Sequence, residues 1–356
     1  MAFDITTFLT PAAVAANWTD TASNREAYLG AGLFPSKKKA GLDLAWIKGR
    51  RGLPISLKPS AFGAKATFRD RVGVERLETQ MPFFREGYRI DEKDRQDIMR
   101  AKDANDPYAT AVLDRIFDDT ADLISGAEVV GERMRMQLLF PDEGAVGISI
   151  KANGMDYTYD YDPDGEWKKN NYTALTGTDL WTAPETADPF KVFQNVKNKA
   201  SAQTGTKLSR VIMNGYTFEL MVHMASVKNR YLTASGTSFG YLTNQEVQNV
   251  IEATSGVRIA VYDKQYRDED GVAHKFIPDG YVSVLPEGTL GSTWYGTTPE
   301  EADLMINPVA QVSIVNAGIA ITKYVNPHPV ETNILASEIV LPSFERMDEV
   351  HSIKVA

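Results

Sequence analysis

The chain has no cysteine and only four histidines in 356 residues. Without thiols there is no disulfide, no thiolate metal site and no cysteine nucleophile, a composition that fits a reducing cytoplasm or a protein that dispenses with thiols. His223, His274, His328 and His351 are far apart and lack any short metal-ligand spacing. Neither an H-E-x-x-H helix nor a phosphate-binding or dinucleotide glycine pattern occurs, so no cofactor or metal is expected. No run approaches the ~20 apolar residues of a spanning helix, so no membrane partner is expected. The opening MAFDITTFLTPAAVAANWTD has no basic leader and is broken by Asp4 and Pro11, so no signal peptide is expected either.

What is present is the composition of an ordinary folded protein, 43% hydrophobic and 24% charged, in a chain longer than one core usually supports. Two domains or an elongated molecule are therefore expected. The net charge of -9 is unevenly distributed. Residues 36–76 hold eleven Lys or Arg against Asp43, Asp70 and Glu75, whereas residues 106–132 hold seven acids against Arg115 alone. An acidic chain does not bind nucleic acid with its whole surface, but two oppositely charged segments can recognise one another.

The pattern of the chain changes at Asp106. Residues 1–30 mix small, polar and apolar types with weak helical spacing and read as an extended arm. Next come short apolar strings among Gly and Pro, too thin for a core of their own, which read as a projecting hairpin. Val112, Ile116, Leu123, Ala127 and Val130 then recur at three- to four-residue steps with no proline between Pro107 and Pro141. That predicts a helix of ~30 residues, about 45 Å long, with Gly126 and Gly131 as places for a kink or close packing. Two strands meeting at Asn153-Gly154 follow, then mixed helices and strands with a helix stop at Gly256, a turn at Asp270-Gly271, and a β-branched C-terminal stretch.

Three stretches invite chemical readings. Gly236-Thr237-Ser238-Phe239-Gly240 matches G-x-S-x-G, with Asp263 or Asp279 and then His328 following in hydrolase order. The motif needs a strand feeding a helix, whereas KNRYLTAS before it is polar and follows a helix, so a surface loop is expected and a serine hydrolase using Ser238 is the weaker alternative. Asp160, Asp162, Asp164 and Gly165 have the spacing of a calcium loop, but Pro163 is the fourth residue and Asn171 stands where a bidentate acid belongs, so an acidic turn is expected. Lys37, Lys38, Lys39, Arg50 and Arg51 could contact phosphates, yet the block lacks aromatic interleaving and a groove-reading helix. A basic hairpin and an acidic helix that cannot meet within one subunit will meet between copies, which points to self-assembly.

Arm, projecting hairpin, long helix, β-rich and α/β portions, in that order, resemble the tailed-phage major coat proteins of the Hong Kong 97 type. Residues 276–298, FIPDGYVSVLPEGTLGSTWYGTT, resemble a segment of coat proteins similar to the phage lambda major head protein (capsid E family), and SEIVLPSFERMDEVHSIKVA resembles that family's C-terminal ending. The resemblance implies an α+β fold with an N-terminal arm over 1–40, an extended hairpin over 41–85, a peripheral domain over 86–165 with its spine helix near 107–140, an axial domain over 166–308, and return strands of the peripheral domain over 309–356. It implies a non-enzymatic subunit of an icosahedral head enclosing double-stranded DNA, present in the virion and in host cytoplasm during assembly. A tail or baseplate protein is the other structural reading. Its implied partners are itself in hexamers and pentamers, a separate scaffolding protein because no long charged prodomain precedes the arm, a portal, a decoration protein in some relatives, and DNA by weak nonspecific contact.

On that resemblance, Arg50, Arg51 and Lys58 of the hairpin are expected to approach Asp114, Asp118 and Asp122 of a neighbouring copy, and Trp294 and Tyr295 to lie where subunits meet. Gly288, Gly291 and Gly296 are expected to let the backbone turn tightly while Tyr281, Trp294 and Tyr295 supply packing surface. Lys58 and Lys65 are present in the hairpin, but no covalent cross-link is expected.

Overall fold

The computed structural model describes residues 10–21, 25–48, 75–90, 92, 96, 107–152, 154–235, 243–306, 311–328 and 330–356. They form two compact units. The first gathers Met1–Ala45, Glu78–Met134 and Gly291–Ser343; the second gathers Trp46–Leu77, Arg135–Leu290 and Phe344–Ala356.

The first unit is organised by one strand, Val330–Ser343, of 14 residues. Antiparallel pairing joins its Thr332–Ile339 stretch to Phe83–Ile90 and its Val330–Ser337 stretch to Ile319–Pro327. Because the same residues pair with both, these neighbours occupy opposite edges. Its last four residues pair with Ser292–Tyr295, which in turn runs parallel to Ser36–Lys38. Gln311–Val315 completes the sheet beside Ile319–Pro327. Alternate residues face one side, so Ile90, Ile319, Ile321, Ile334 and Ala336 make an apolar surface, and Leu123 and Ile124 pack onto it with Val14 and Trp18.

Val14 and Trp18 belong to a helix, Pro11–Asp20, where an extended arm was expected over residues 1–30. Their four-residue spacing lets both side chains reach the core, each 4% exposed. The Thr10 hydroxyl accepts from the Ala13 N–H at 3.1 Å, and Pro11 opens the helix where its missing N–H is harmless. Arg25 then lies over the Trp18 ring, 3.3 Å from its centroid, and donates to the Trp18 carbonyl at 2.6 Å. Further along, the Glu132 side chain, fully buried, accepts from the Gly30 N–H at 2.9 Å, while the Thr293 hydroxyl donates to the Phe34 carbonyl at 2.9 Å.

The long helix spans Pro107–Leu139, 33 residues, and runs without interruption through Gly126 and Gly131. Of the projecting hairpin, Asp43–Lys48 and Glu75–Gln80 pair as a two-stranded sheet. Residues 49–74 between them lie outside the described residues.

The second unit centres on a five-stranded sheet. Tyr281–Pro286, buried at every position, lies between Leu208–Met213 and His351–Lys354 and is antiparallel to both. Arg258–Val261 and Tyr172–Ala174 complete the two edges in parallel pairings. Helices Pro189–Thr204, Gly215–Val222, Ala225–Ser235 and Asn244–Ser255 contribute Phe193, Phe218, Met221, Val227, Val247 and Ile251 to a core that includes Val282, Val284 and Ile353. The helix ends follow local chemistry: Asp188, Asn214 and Thr243 cap N-termini, and Gly205 and Gly256 close helices in the left-handed conformation, Gly256 where the sequence predicted it. Two hairpins stand beside this sheet: Gly147–Ala152 with Met155–Asp160, and Gln265–Arg267 with Ala273–Lys275.

The C-terminal end departs from the sequence expectation that residues 309–356 return together. Residues 311–343 lie in the first unit's sheet, but His351–Lys354 joins the second unit's sheet because Ile353 and Val355 are buried in its core. One consequence is a histidine, His351, 2% exposed and with no hydrogen-bond partner on Nε2. Burial first, then the nearby Lys199 charge, lowers its pKa to about 4. The unfolded chain, with His at about 6.5, takes up the proton first, so stability is complete above that pH and declines as pH falls towards 4. We predict a loss of roughly 3 kcal/mol across this window from His351, read as falling urea midpoints from pH 7 to pH 4.5. The slope should flatten by that amount in His351→Leu.

Candidate assembly surfaces

The acidic face of the long helix is a surface feature. Leu123 and Ile124 point into the core, and this leaves Asp118 and Asp122 exposed. Tyr88, 45% exposed on the strand Phe83–Ile90, has its phenol pKa raised, first by partial burial and then by the Asp119, Asp122 and Glu86 carboxylates. This locates a band of negative charge beside that strand. Asp114 is in the helix, but its side chain lies outside the described residues. Arg50, Arg51 and Lys58 lie outside them altogether. Of the basic block that is described, Lys38 pairs with Glu301 at 2.5 Å within the first unit; beyond the block, Arg85 on Phe83–Ile90 pairs with Glu300 at 3.3 Å.

Residues 275–298 divide between the two units. The Tyr281–Pro286 strand is interior to its sheet, and the Tyr281 hydroxyl donates to Asp142 at 3.0 Å. The turn after it is gripped by two arginines. Arg210 donates to the carbonyls of Pro286 and Gly288, while Arg346 donates to those of Glu287 and Thr289, both at 2.9 Å, and to the buried Glu349 carboxylate at 2.5 Å. Gly288 supplies the positive φ of +84° that this turn requires. Sequence reading missed Arg210 and Arg346, since their partners lie 57 to 78 residues away in sequence and no local pattern announces them.

In the first unit, Trp294 is half-buried, donates through Nε1 to the Ser343 hydroxyl at 2.9 Å, and has the Lys37 ammonium 5.2 Å from its ring centroid. Tyr295, expected where subunits meet, is instead 7% exposed within its own unit. A Cβ on Gly318 would meet its ring at 2.8 Å, so this aromatic packs inside the subunit against a glycine. Gly296 is required by close approach, because a Cβ there would fall 2.6 Å from Ile339 and 2.9 Å from the Gly41 carbonyl.

The stretches that invited chemical readings resolve into structure or fall outside the description. Asp160 accepts from the Asp162 N–H, Asp162 accepts from the Trp167 and Lys168 N–H groups, and Asp164 accepts from the Glu166 N–H. Those carboxylates form a turn and stabilise the start of the short helix Glu166–Asn171. Asn171 donates to the Asp348 and Val350 carbonyls. Ser238 and its motif lie outside the described residues, and among those described no group of three or more His, Asp or Glu is placed to hold a metal ion. No described helix is long and apolar enough to cross a membrane.

The chain thus combines a unit in which a long helix packs on an extended sheet with an α/β unit, and exposed acids lie along the helix. The model of the family described as phage major capsid protein E matches residues 10–355, and the chain belongs to that family. Its fold is shared with solved phage proteins of low identity. A prophage protein of E. coli assigned as its capsid protein is 14% identical with a TM-score of 0.62, the match covering 98% of this chain and 99% of that one. A phage-related protein from Bordetella bronchiseptica is 12% identical, with a TM-score of 0.54 and coverage of 96% and 97%. The capsid subunit of cyanophage A-1(L) is 11% identical, with a TM-score of 0.50 and coverage of 92% and 91%. No curated protein matches the chain.

Replacing the arginine that grips the 286–290 turn tests its structural role. Arg346→Met strands two carbonyls and a carboxylate whose side chain is 4% exposed, and we predict a loss of roughly 3 kcal/mol in chemical denaturation. Arg346→Lys should recover less than half, because an ammonium cannot reproduce the planar fork.

Proposed function

We infer that this chain is the major subunit of a tailed-phage head, copies of which assemble into the icosahedral shell around double-stranded DNA. The observation that carries this is the family match across residues 10–355, nearly the whole chain. The proposal extends to hexamers and pentamers, a separate scaffolding protein, a portal at one vertex, and assembly in host cytoplasm before residence in the virion. A decoration protein is a further partner of the same kind. The subunit carries out no catalysis; its work is shape and association. The acidic balance suits a container that does not grip its DNA tightly.

Within the shell, the basic hairpin through Arg50, Arg51 and Lys58 engages the acidic helix face at Asp114, Asp118 and Asp122 of an adjacent copy, with Trp294 at the margin of a contact. Exposed ion pairs contribute only about 0.2 to 1 kcal/mol each, so they set register, while apolar area multiplied over neighbours supplies strength. Electron microscopy of the protein expressed with its neighbouring genes should show closed shells; a clean monomer under those conditions would refute the reading. Asp118→Lys with Asp122→Lys should lower shell yield severalfold without shifting the unfolding midpoint of free subunits by more than about 0.5 kcal/mol.

A further inference from the structure

Two strand edges of the second unit are closed by side chains. The Gln137 amide donates to the Ser149 carbonyl and accepts from the Ser149 N–H, both at 3.1 Å, where a further strand would pair with Gly147–Ala152. On Arg258–Val261, the Ile259 N–H donates to the Glu252 carboxylate and the Ile259 carbonyl accepts from the Gln248 amide, both at 2.9 Å. Backbone groups occupied in this way cannot recruit another chain.

The strand Phe83–Ile90 of the first unit is treated differently. It pairs on one edge only, with Val330–Ser343. The Val340 N–H donates to the Pro82 carbonyl, so by antiparallel alternation Phe84, Glu86, Tyr88 and Ile90 turn their backbone groups inward and Arg85, Gly87 and Arg89 turn theirs outward. Among the described residues no hydrogen bond reaches those outward backbone groups, and residues 85–89 are all exposed. The strand Gln311–Val315, at the other side of the same sheet, has five residues against eight and shares a core with Pro11–Asp20 through Val14, Trp18 and Val315.

The surroundings of the open edge define what fits it. Glu86 and Tyr88 lie opposite Ala336 and Ile334, on the face that the long helix covers. There the exposed Tyr88 ring is flanked by Glu86, Asp119 and Asp122. On the other face Arg85 and Arg89 are paired with Glu300 and Glu331. The rim is therefore acidic, Arg115 being the one base of residues 106–132. A matching segment must be both extended and basic. Residues 189–245 are basic but mostly helical, whereas the described elements of the 36–76 block, Ser36–Lys38, Asp43–Lys48 and the start of Glu75–Gln80, are strands.

We propose that the Phe83–Ile90 edge of one copy takes a strand from the 36–76 block of a neighbouring copy, extending the first unit's sheet across the contact. Main-chain hydrogen bonds at Arg85, Gly87 and Arg89 hold the incoming strand, and the acids around Tyr88 select a basic one. This rests on the shell-subunit reading and deepens it, since it supplies the backbone contact that fixes the hairpin beside the helix acids.

Hydrogen exchange reads this contact without any substitution. The Arg85, Gly87 and Arg89 amides should exchange quickly in free subunits and at least about tenfold more slowly in shells, while those of Glu86 and Tyr88 stay protected in both. Arg85→Pro with Arg89→Pro removes two outward donors and spares the inward ladder, so shell yield should fall about tenfold or more, against less than about twofold for Arg85→Ala with Arg89→Ala. Unfolding midpoints of the free subunits separate loss of the contact from loss of the fold. The chain has no cysteine, so copies carrying Tyr88→Cys can be mixed with copies carrying a single cysteine walked through residues 49–66. Disulfide-linked dimers should form at alternate positions of the walk. The proposal is overturned if the three amides exchange equally fast in both states or slow only when another head protein is present, if the folded proline pair assembles like the alanine pair, or if no position of the walk gives dimers. Absence of shells from the unaltered protein would instead sink the shell-subunit reading itself.

Discussion

Everything in the first unit depends on satisfying the backbone of one buried strand. Val330–Ser343 is enclosed for most of its 14 residues, and Val340, Leu341, Ser343 and Ile339 are at most 1% exposed. A buried peptide group without a partner costs about as much as a lost hydrogen bond, roughly 1 to 3 kcal/mol, so such a strand requires neighbours on both edges. They come from three distant parts of the chain, Phe83–Ile90, Ser292–Tyr295 and Ile319–Pro327. The core face then follows from alternation, and the helices pack where that face is apolar.

The second unit meets the same demand by another route. Its central strand, Tyr281–Pro286, is apolar at nearly every position, as a strand covered on both faces must be. The turn leaving it exposes carbonyls that no neighbouring strand can reach, and Arg210 and Arg346 satisfy them with guanidinium forks. Charged side chains here do the work of backbone donors. That is why two arginines near one turn are a feature of folding rather than a binding site.

How much of this was legible in the sequence follows from the range of each interaction. The long helix was readable because Val112, Ile116 and Leu123 recur at helical spacing, and its observed span of Pro107–Leu139 comes from that local period. Gly256 and the Asp270-Gly271 turn were readable for the same reason. The helix at Pro11–Asp20 was not, because only Val14 and Trp18 face a core and that core is assembled from residues at least 72 positions away. The split fate of the C-terminal stretch was invisible too: residues 311–343 and 351–354 are equally strand-like, and only tertiary pairing decides which sheet each joins. Tyr295 illustrates the same limit, since an aromatic among glycines suggests a contact surface until Gly318 is found beneath its ring. Of the candidate surface residues, Asp118 and Asp122 were readable as exposed acids on the long helix, while the placement of Arg230 over the Phe190 ring, forty residues away in sequence, emerged only from the fold.

A shell subunit also faces a constraint that a monomeric enzyme does not. If its contacts were strong one by one, growing shells would trap errors; if they were purely apolar, they would not choose between neighbours. Exposed charge resolves this, because a pair worth under about 1 kcal/mol breaks readily in a wrong register yet adds up over a closed ring. The distribution of charge in this chain has that character. Acids sit along the long helix, with Asp118 and Asp122 exposed, and bases are concentrated in the 36–76 block of the sequence, while the buried Glu132 and Glu349 carboxylates are held by internal hydrogen bonds. On the proposed reading, stability is assigned to the cores and recognition to the surface, so a fold shared at identities near 12% leaves the charges that would select a neighbour free to diverge.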